Sequence, residues 1–128
     1  MSEILNTQLL VIGGGLAGFA AALSAAEAGI DVLLLEKTAA TGGSSAMSGG
    51  CLAFAGTDLQ RERGIEDSSE LLYRDLVEVG KGECDEALVR AYADHQLATY
   101  EWLKAHGVTF QPVIETASGQ SVPRVHNV

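Results

Sequence analysis

Gly13, Gly15 and Gly18 stand at the spacing GxGxxG, and Glu36 follows 23 positions after the first of them. Each of these residue types suits a different part of one task. Gly13 permits a tight strand-to-helix turn, Gly15 removes the side chain that would block a pyrophosphate, and Gly18 lets a helix pack closely on its strands. A helix starting at Leu16 and Ala17 then aims unpaired N–H groups and the positive end of its dipole at phosphate, an interaction of about 1 kcal/mol. Glu36 is placed to accept hydrogen bonds from adenosine ribose hydroxyls, and its charge repels a 2′-phosphate. The pattern thus disfavours NADP, while FAD and NAD are both compatible with it.

These groups need elements to position them. Leu9 to Ile12 is a short apolar run that predicts a strand buried on both faces. Leu16 to Ala28, rich in alanine and leucine, predicts a helix with Gly29 as its left-handed cap. Ile30 to Leu35 predicts a second strand, parallel to the first through a right-handed crossover. From Thr38 to Gly56 the chain is small and aperiodic, a loop with room for one helical turn. Asp67 to Glu70 has the form of a capping box before a helix running to Gly80 and Gly82. A further helix is expected from Asp85 to His106, closed by Gly107, with Leu88, Tyr92, His95, Thr99, Trp102 and Leu103 on its stripe. Val108 to Ile114 reads as a strand weakened by Pro112, and Ser118 to Asn127 as irregular. The fold class expected is α/β, an incomplete Rossmann-like FAD/NAD(P)-binding domain with a parallel sheet, occupying residues 1–128.

A second glycine cluster, "TGGSSAMSGG" from Thr41 to Gly50, is more than a nicotinamide fold requires. Gly42, Gly43, Gly49 and Gly50 let another flat or phosphorylated group lie against main chain, and Ser44, Ser45 and Ser48 offer hydroxyls. A long cofactor fits it better than a short one.

The 128 residues carry a formal net charge of −9, with 47% hydrophobic and 20% charged residues. That charge opposes nucleic acid binding, which needs clustered Lys and Arg. The acidic residues from Asp58 to Glu101 read as solvated helix faces. Two cysteines, Cys51 and Cys84, match neither a disulfide framework nor a metal spacing. Residues 1–8 are polar and acidic without the features of a signal peptide, and no apolar run is long enough to span a membrane. A cytoplasmic location follows as the expectation.

Four stretches, "VIGGGLAGFAAALSAAEAGIDVLLLEK", "TGGSSAMSGG", "GIEDSSELLYRDLVEVGKGECDEALVRAYADHQLATYEWLKAHGV" and "SVPRVHNV", together resemble the N-terminal part of the FAD-dependent flavoproteins of the fumarate reductase and succinate dehydrogenase family. The soluble branch, with fumarate, urocanate and 3-ketosteroid oxidoreductases, is the nearest in look. The resemblance implies that Gly13, Gly15 and Gly18 form the pyrophosphate loop, that Glu36 is the ribose acid and that Lys37 is the residue commonly following it. It implies that Gly42, Gly43, Ser44, Ser45, Gly49 and Gly50 pass along the flavin and its phosphates. Membrane-bound members attach FAD through a histidine in that segment; none lies between Lys37 and His95 here, so non-covalent FAD is implied. Family members are several hundred residues long, and their proton donor and substrate-binding groups belong to regions this chain does not reach. No catalytic residue is therefore assigned, and a small-molecule substrate is expected only for a longer protein, with a homo-oligomer or redox partner left open.

Other residues read more plainly. Arg124 and His126 match an Arg-x-His stretch of that family but are expected to face solvent or to lie one layer from the cofactor. His95 reads as a core or boundary histidine, His106 as a helix-end imidazole favoured by the dipole, and Cys51 as a small buried hydrophobe. Tyr92, Tyr100 and Trp102 read as packing residues. No histidine has a second ligand three or four positions away, so no metal is expected. Two other readings accompany the oxidoreductase: a stand-alone nucleotide-binding or interaction module without turnover, and an NAD-binding domain.

Overall fold

The computed structural model describes residues 4–128; residues 1–3, the start of the polar N-terminal stretch, lie outside the described residues. The chain is mixed α/β and divides into two compact units, Met1–Gly49 and Gly50–Val128.

The first unit contains β1 (Leu9–Ile12), α1 (Leu16–Glu27) and β2 (Val32–Leu35). The strands pair in parallel, with Leu9 opposite Val32 and Ile12 opposite Leu35. Gly29, at φ +77°, closes α1 as expected. Its N–H donates to the Ala26 carbonyl and that of Ile30 to the Ala25 carbonyl, the paired closure of a Schellman motif. Ile30 is consumed by that closure, so β2 begins at Val32. Leu9, Leu10, Ile12 and Leu35 are exposed, against the expectation of a strand buried on both faces. A five-residue 3₁₀ helix, Gly43–Met47, supplies the single turn foreseen in the loop.

The second unit contains β3 (Cys51–Ala53), α2 (Asp58–Glu62), α3 (Ser69–Gly80), α4 (Glu86–Ala105), β4 (Ile114–Glu115) and β5 (Val125–Asn127). β5 lies between β3 and β4, antiparallel to both. The segment Ser118 to Asn127 is therefore not irregular throughout, and the loop to Gly56 contains a strand. Both strands are too short to show a period of two. Val108 N–H closes α4 on the Leu103 carbonyl, which takes it out of the strand expected from that residue.

Two caps differ from one another in how they answer the sequence. Asp85 caps α4 through the Ala87 and Leu88 N–H groups, as expected. The cap of α3 is Ser68, whose hydroxyl accepts from Leu71 N–H, rather than Asp67. α2 has a capping box of its own: Thr57 Oγ1 accepts from Gln60 N–H, and the Gln60 side chain accepts from Thr57 N–H.

Gln96 decides which face of α4 is inward. Its amide bonds the Ala55 N–H at 2.8 Å and the Ala55 carbonyl at 3.0 Å, so Ala93, Gln96 and Tyr100 are buried. The stripe read from sequence departs from this face at its start, where Leu88, Tyr92 and His95 are exposed, and meets it at its end, where Leu103 packs against Phe54, Tyr100 and Phe110. Tyr100 stacks on Phe110 with ring centroids 4.9 Å apart, and Phe54 meets both edge-on. Cys51 is exposed as well, with Asn127 Oδ1 2.9 Å from its sulfur.

Arg124 and His126 do not face solvent, the first of the two placements expected for them: both are fully buried. Arg124 places Nε and Nη2 on the two oxygens of Asp67, at 2.7 and 2.8 Å, and Nη1 on Asp75. Burial alone would raise the Asp75 carboxyl; hydrogen bonds from Arg124 and from the Ser121 N–H and hydroxyl reverse this and hold it below its ordinary value. An isolated charge at such a site would be costly, so these three residues, from the α2–α3 connection, α3 and the approach to β5, can be buried only together.

His126 sits among Phe54, Tyr100 and Phe110, with ring centroids 5.4 to 5.9 Å away. Its Nδ1 is 2.7 Å from the Arg124 carbonyl, which only accepts, so Nδ1 carries the proton. Nε2 is 2.9 Å from the Thr57 hydroxyl, and with the proton of the neutral ring on Nδ1 it accepts from that hydroxyl, whose oxygen accepts in turn from Gln60 N–H. The ring is neutral in this network, and burial pushes its pKa down.

Replacing Arg124 with leucine strands two carboxylates and is expected to destabilise the second unit by about 3–5 kcal/mol, read as a lower urea midpoint. The His126 pKa is depressed on folding, so the unfolded chain binds more protons below its ordinary value of 6.5. Stability should accordingly be level above that pH and fall over the interval just below it. A urea midpoint that does not decline over this interval would contradict the neutral-ring network.

Candidate functional site

The candidate site is the turn between β1 and α1, together with the segments that fold onto it. Leaving β1, Gly13 adopts φ +107° and donates its N–H to the Leu35 carbonyl at 2.7 Å. A β-carbon at this φ would be strained, as the sequence pattern requires. Gly18 is needed for a different reason: a β-carbon there would lie 1.8 Å from the Gly13 carbonyl oxygen. The close approach is between the first turn of α1 and the glycine turn itself.

Gly15 is unlike either. It caps α1 with φ −86°, a conformation open to any residue, and a β-carbon would find nothing nearer than the Gly42 carbonyl oxygen at 3.8 Å and Ser45 Oγ at 3.9 Å. No packing within the described residues demands glycine at this position. The open space there borders the start of α1, where first-turn N–H groups have no partner within the helix. Leu16 and Ala17 are exposed at that end.

Gly14, which the spacing rule passes over, is tied down on both sides. It is buried; its N–H donates to Glu36 Oε2 at 2.8 Å and its carbonyl accepts from Gly42 N–H at 2.6 Å. A β-carbon would meet Thr41 Cγ2 at 3.0 Å. The third consecutive glycine was the only sign of this in the sequence.

Glu36 accepts from Gly14 N–H on Oε2 and from Thr38 N–H on Oε1 at 2.9 Å, and Thr38 Oγ1 lies 2.9 Å from the same Oε1. The Gly14 N–H does most to hold its pKa down at about 2, aided by the Thr38 N–H and hydroxyl and, most weakly, by the Lys37 N–H. The group is a fixed negative charge at neutral pH, and Thr38 joins Gly14 as a participant that spacing alone did not reveal.

The second glycine cluster is brought to the first in part. Gly42, at φ +115°, reaches Gly14, and Ser45 Oγ accepts from Leu16 N–H at 3.3 Å. Ser44, Gly43 and Gly49 are exposed along the same segment, and Lys37 is exposed beyond Glu36. Gly50 belongs to the second unit, where a β-carbon would come within 3.3 Å of Val128. The arrangement presents backbone donors and open space at a helix start, with an ionised carboxylate at the neighbouring strand end. It suits an anionic group joined to a hydroxylated one.

In the second unit a cleft of about 410 Å³ is lined by Leu72, Leu76, Val79, Leu88 and Tyr92. Its charged groups, Asp75 and Arg124, are already paired with each other. Among the described residues no helix is long and apolar enough to cross a membrane, and no three His, Cys, Asp or Glu side chains are grouped to hold a metal ion.

Residues 8–127 match the family described as "FAD binding domain". The chain is 36% identical to the acrylate reductase flavoprotein subunit of Shewanella woodyi, over 94% of this chain and 24% of that protein. It is 40% identical to urocanate reductase of Eggerthella lenta, over 93% of this chain and 20% of that protein. The open conformation of a flavocytochrome c3 fumarate reductase superposes with a TM-score of 0.87 at 35% identity, covering 94% of this chain and 21% of that one. The chain thus spans about a quarter or less of the length of these relatives.

Gly15 and Gly18 separate packing from ligand space. Gly18→Ala is expected to destabilise the first unit, because the Gly13 carbonyl must move. Gly15→Ala should change the thermal midpoint little, with a cost on the order of 1 kcal/mol or less. Equal thermal shifts for the two variants would refute this distinction.

Proposed function

The chain belongs to the family of FAD-binding domains, and from this premise we propose that it is the N-terminal part of such a domain, of Rossmann-like architecture, in a flavin-dependent oxidoreductase. The observation that carries the reading is Gly15, a glycine facing open space that the protein's own packing does not require. A pyrophosphate accounts for it, since a methyl group there would occupy the place of the phosphate oxygens. The residues present fit FAD on that test.

Gly13, Gly15 and Gly18 shape the pyrophosphate loop, and the exposed start of α1 at Leu16 and Ala17 faces the phosphates, with the Leu16 N–H shared with Ser45 Oγ. Glu36 accepts from the adenosine ribose, with Lys37 following it. Gly42, Gly43, Ser44, Ser45, Gly49 and Gly50 run along the flavin and its phosphates. No histidine lies between Lys37 and His95, so the cofactor is held non-covalently. Bound there, FAD supplies hydride exchange at its N5, interconverting a C–C and a C=C bond beside an electron-withdrawing group. The share of this chain is to bind and orient FAD. Relatives named for reduction of acrylate and urocanate support a small unsaturated acid as the substrate of a longer protein. Its substrate contacts and proton donor belong to segments outside these residues.

The test is the visible absorption spectrum of the purified chain after incubation with FAD and desalting. Flavin bands should be retained, and denaturation should release them into the filtrate. Gly15→Ala should remain folded and lose them. A folded wild-type chain that retains no flavin would refute the reading.

A further inference from the structure

We propose that the apolar cleft of the second unit is a docking groove for an amphipathic helix of a partner protein, one that carries lysine or arginine beside its apolar face. The groove has three walls. α3 contributes Leu72, Leu76 and Val79, α4 contributes Leu88 and Tyr92, and the turn from Ser118 to Gln120 closes the third side. That turn is held in place by its neighbours. Gly119, at φ +81°, lies so close on α3 that a β-carbon would come within 2.2 Å of Val79 Cγ2. Ser121 gives both its N–H and its hydroxyl to Asp75 Oδ2, at 2.8 Å each, and the Gln120 side chain accepts from Ala117 N–H across the turn. The charges at the floor, Asp75 and Arg124, are spent on each other.

Exposure decides the kind of occupant. Val79 and Leu88 are 53% and 70% exposed, so the groove is shallow along one side, whereas a small-molecule pocket encloses most of its ligand. A third helix laid along α3 and α4 would cover these side chains with its own apolar face. Charge decides what flanks that face. From Leu76 to Val89 the chain carries Glu78, Glu83, Asp85 and Glu86, all exposed, against Lys81 alone. The opposite wall, from Glu115 to Pro123, adds Glu115 and no cation. Arg74 and Arg90 stand beside Glu70, which is not part of the groove. A second copy of this chain, with its net charge of −9, would bring like charge to this rim, whereas a basic segment is attracted to it.

The test titrates the isotope-labelled chain with three synthetic peptides of equal length, following its amide resonances. One has leucines at helical spacing among lysines, one has glutamates in place of the lysines, and one has serines in place of the leucines. The leucine–lysine peptide should bind and shift the resonances of α3 and of Ser118 to Gln120; the leucine–glutamate peptide should bind roughly tenfold more weakly at low salt, and the serine–lysine peptide should not bind. Leu88→Gln should weaken the leucine–lysine peptide roughly tenfold, and Glu83→Lys should weaken it severalfold, with the thermal midpoint unchanged in both because the side chains are exposed. Equal binding of the two leucine peptides would overturn the basic partner. Shifts confined to the first unit, or binding indifferent to Leu88→Gln, would overturn the groove. Self-association of the chain that Leu88→Gln abolishes would overturn the proposal in favour of a second copy, and no binding of the leucine–lysine peptide would overturn it outright. None of these outcomes bears on FAD binding.

Discussion

The Gly14 peptide is held from both sides, its N–H by Glu36 and its carbonyl by Gly42 N–H. Through those two bonds the end of β2 and the second glycine segment are tied to the turn that starts α1. The hold depends on small residues: a side chain at Gly14 would press on Thr41, and one at Gly18 would strike the Gly13 carbonyl. What remains is a turn whose shape is set by the protein and in which Gly15, at a φ open to any residue, borders open space. Rigid placement of backbone donors matters because each N–H contributes little by itself and gains from being oriented before the anion arrives.

The second unit is organised by buried polar groups. Arg124 with Asp67 and Asp75, His126 with Thr57, Gln60 with Asp67 and the Pro123 carbonyl, and Gln96 with Ala55 all lie inside and are satisfied. Such a core is costly when incomplete, because each unpaired group retains its desolvation penalty. It also fixes geometry closely, since the donors and acceptors fit in one arrangement. The apolar content is modest by comparison, chiefly Phe54, Tyr100 and Phe110 in one cluster and Ala55, Leu72 and Ala93 in another.

Asp58 illustrates how a residue counted as surface acidity is drawn into structure. Lys104 above all, and then the Tyr100 hydroxyl, hold its carboxyl down at about 2, while burial and the bond to Asp58 push the Tyr100 phenol up. The pair joins the start of α2 to the last turns of α4. Helix-surface acidity read from composition was correct for much of this region, yet Asp58, Asp67 and Asp75 each have a structural partner that lies 46 to 57 positions away in sequence.

What the sequence determined by itself was local. Gly13, Gly18 and Gly29 announce their turns because few other residues tolerate those conformations or contacts, and Leu9–Ile12, α1 and α4 follow from runs and caps confined to a few consecutive residues. Glu36 was legible from its distance to Gly13, and the family from the two glycine motifs together. Tertiary structure decided the rest. The inward face of α4 depends on Gln96 finding Ala55, β3 and β5 exist because Cys51–Ala53 meets Val125–Asn127, and Arg124 is buried only because two carboxylates come to it. Each of these is a pairing across many residues, and the burial of a polar side chain is set by its partner rather than by its own type.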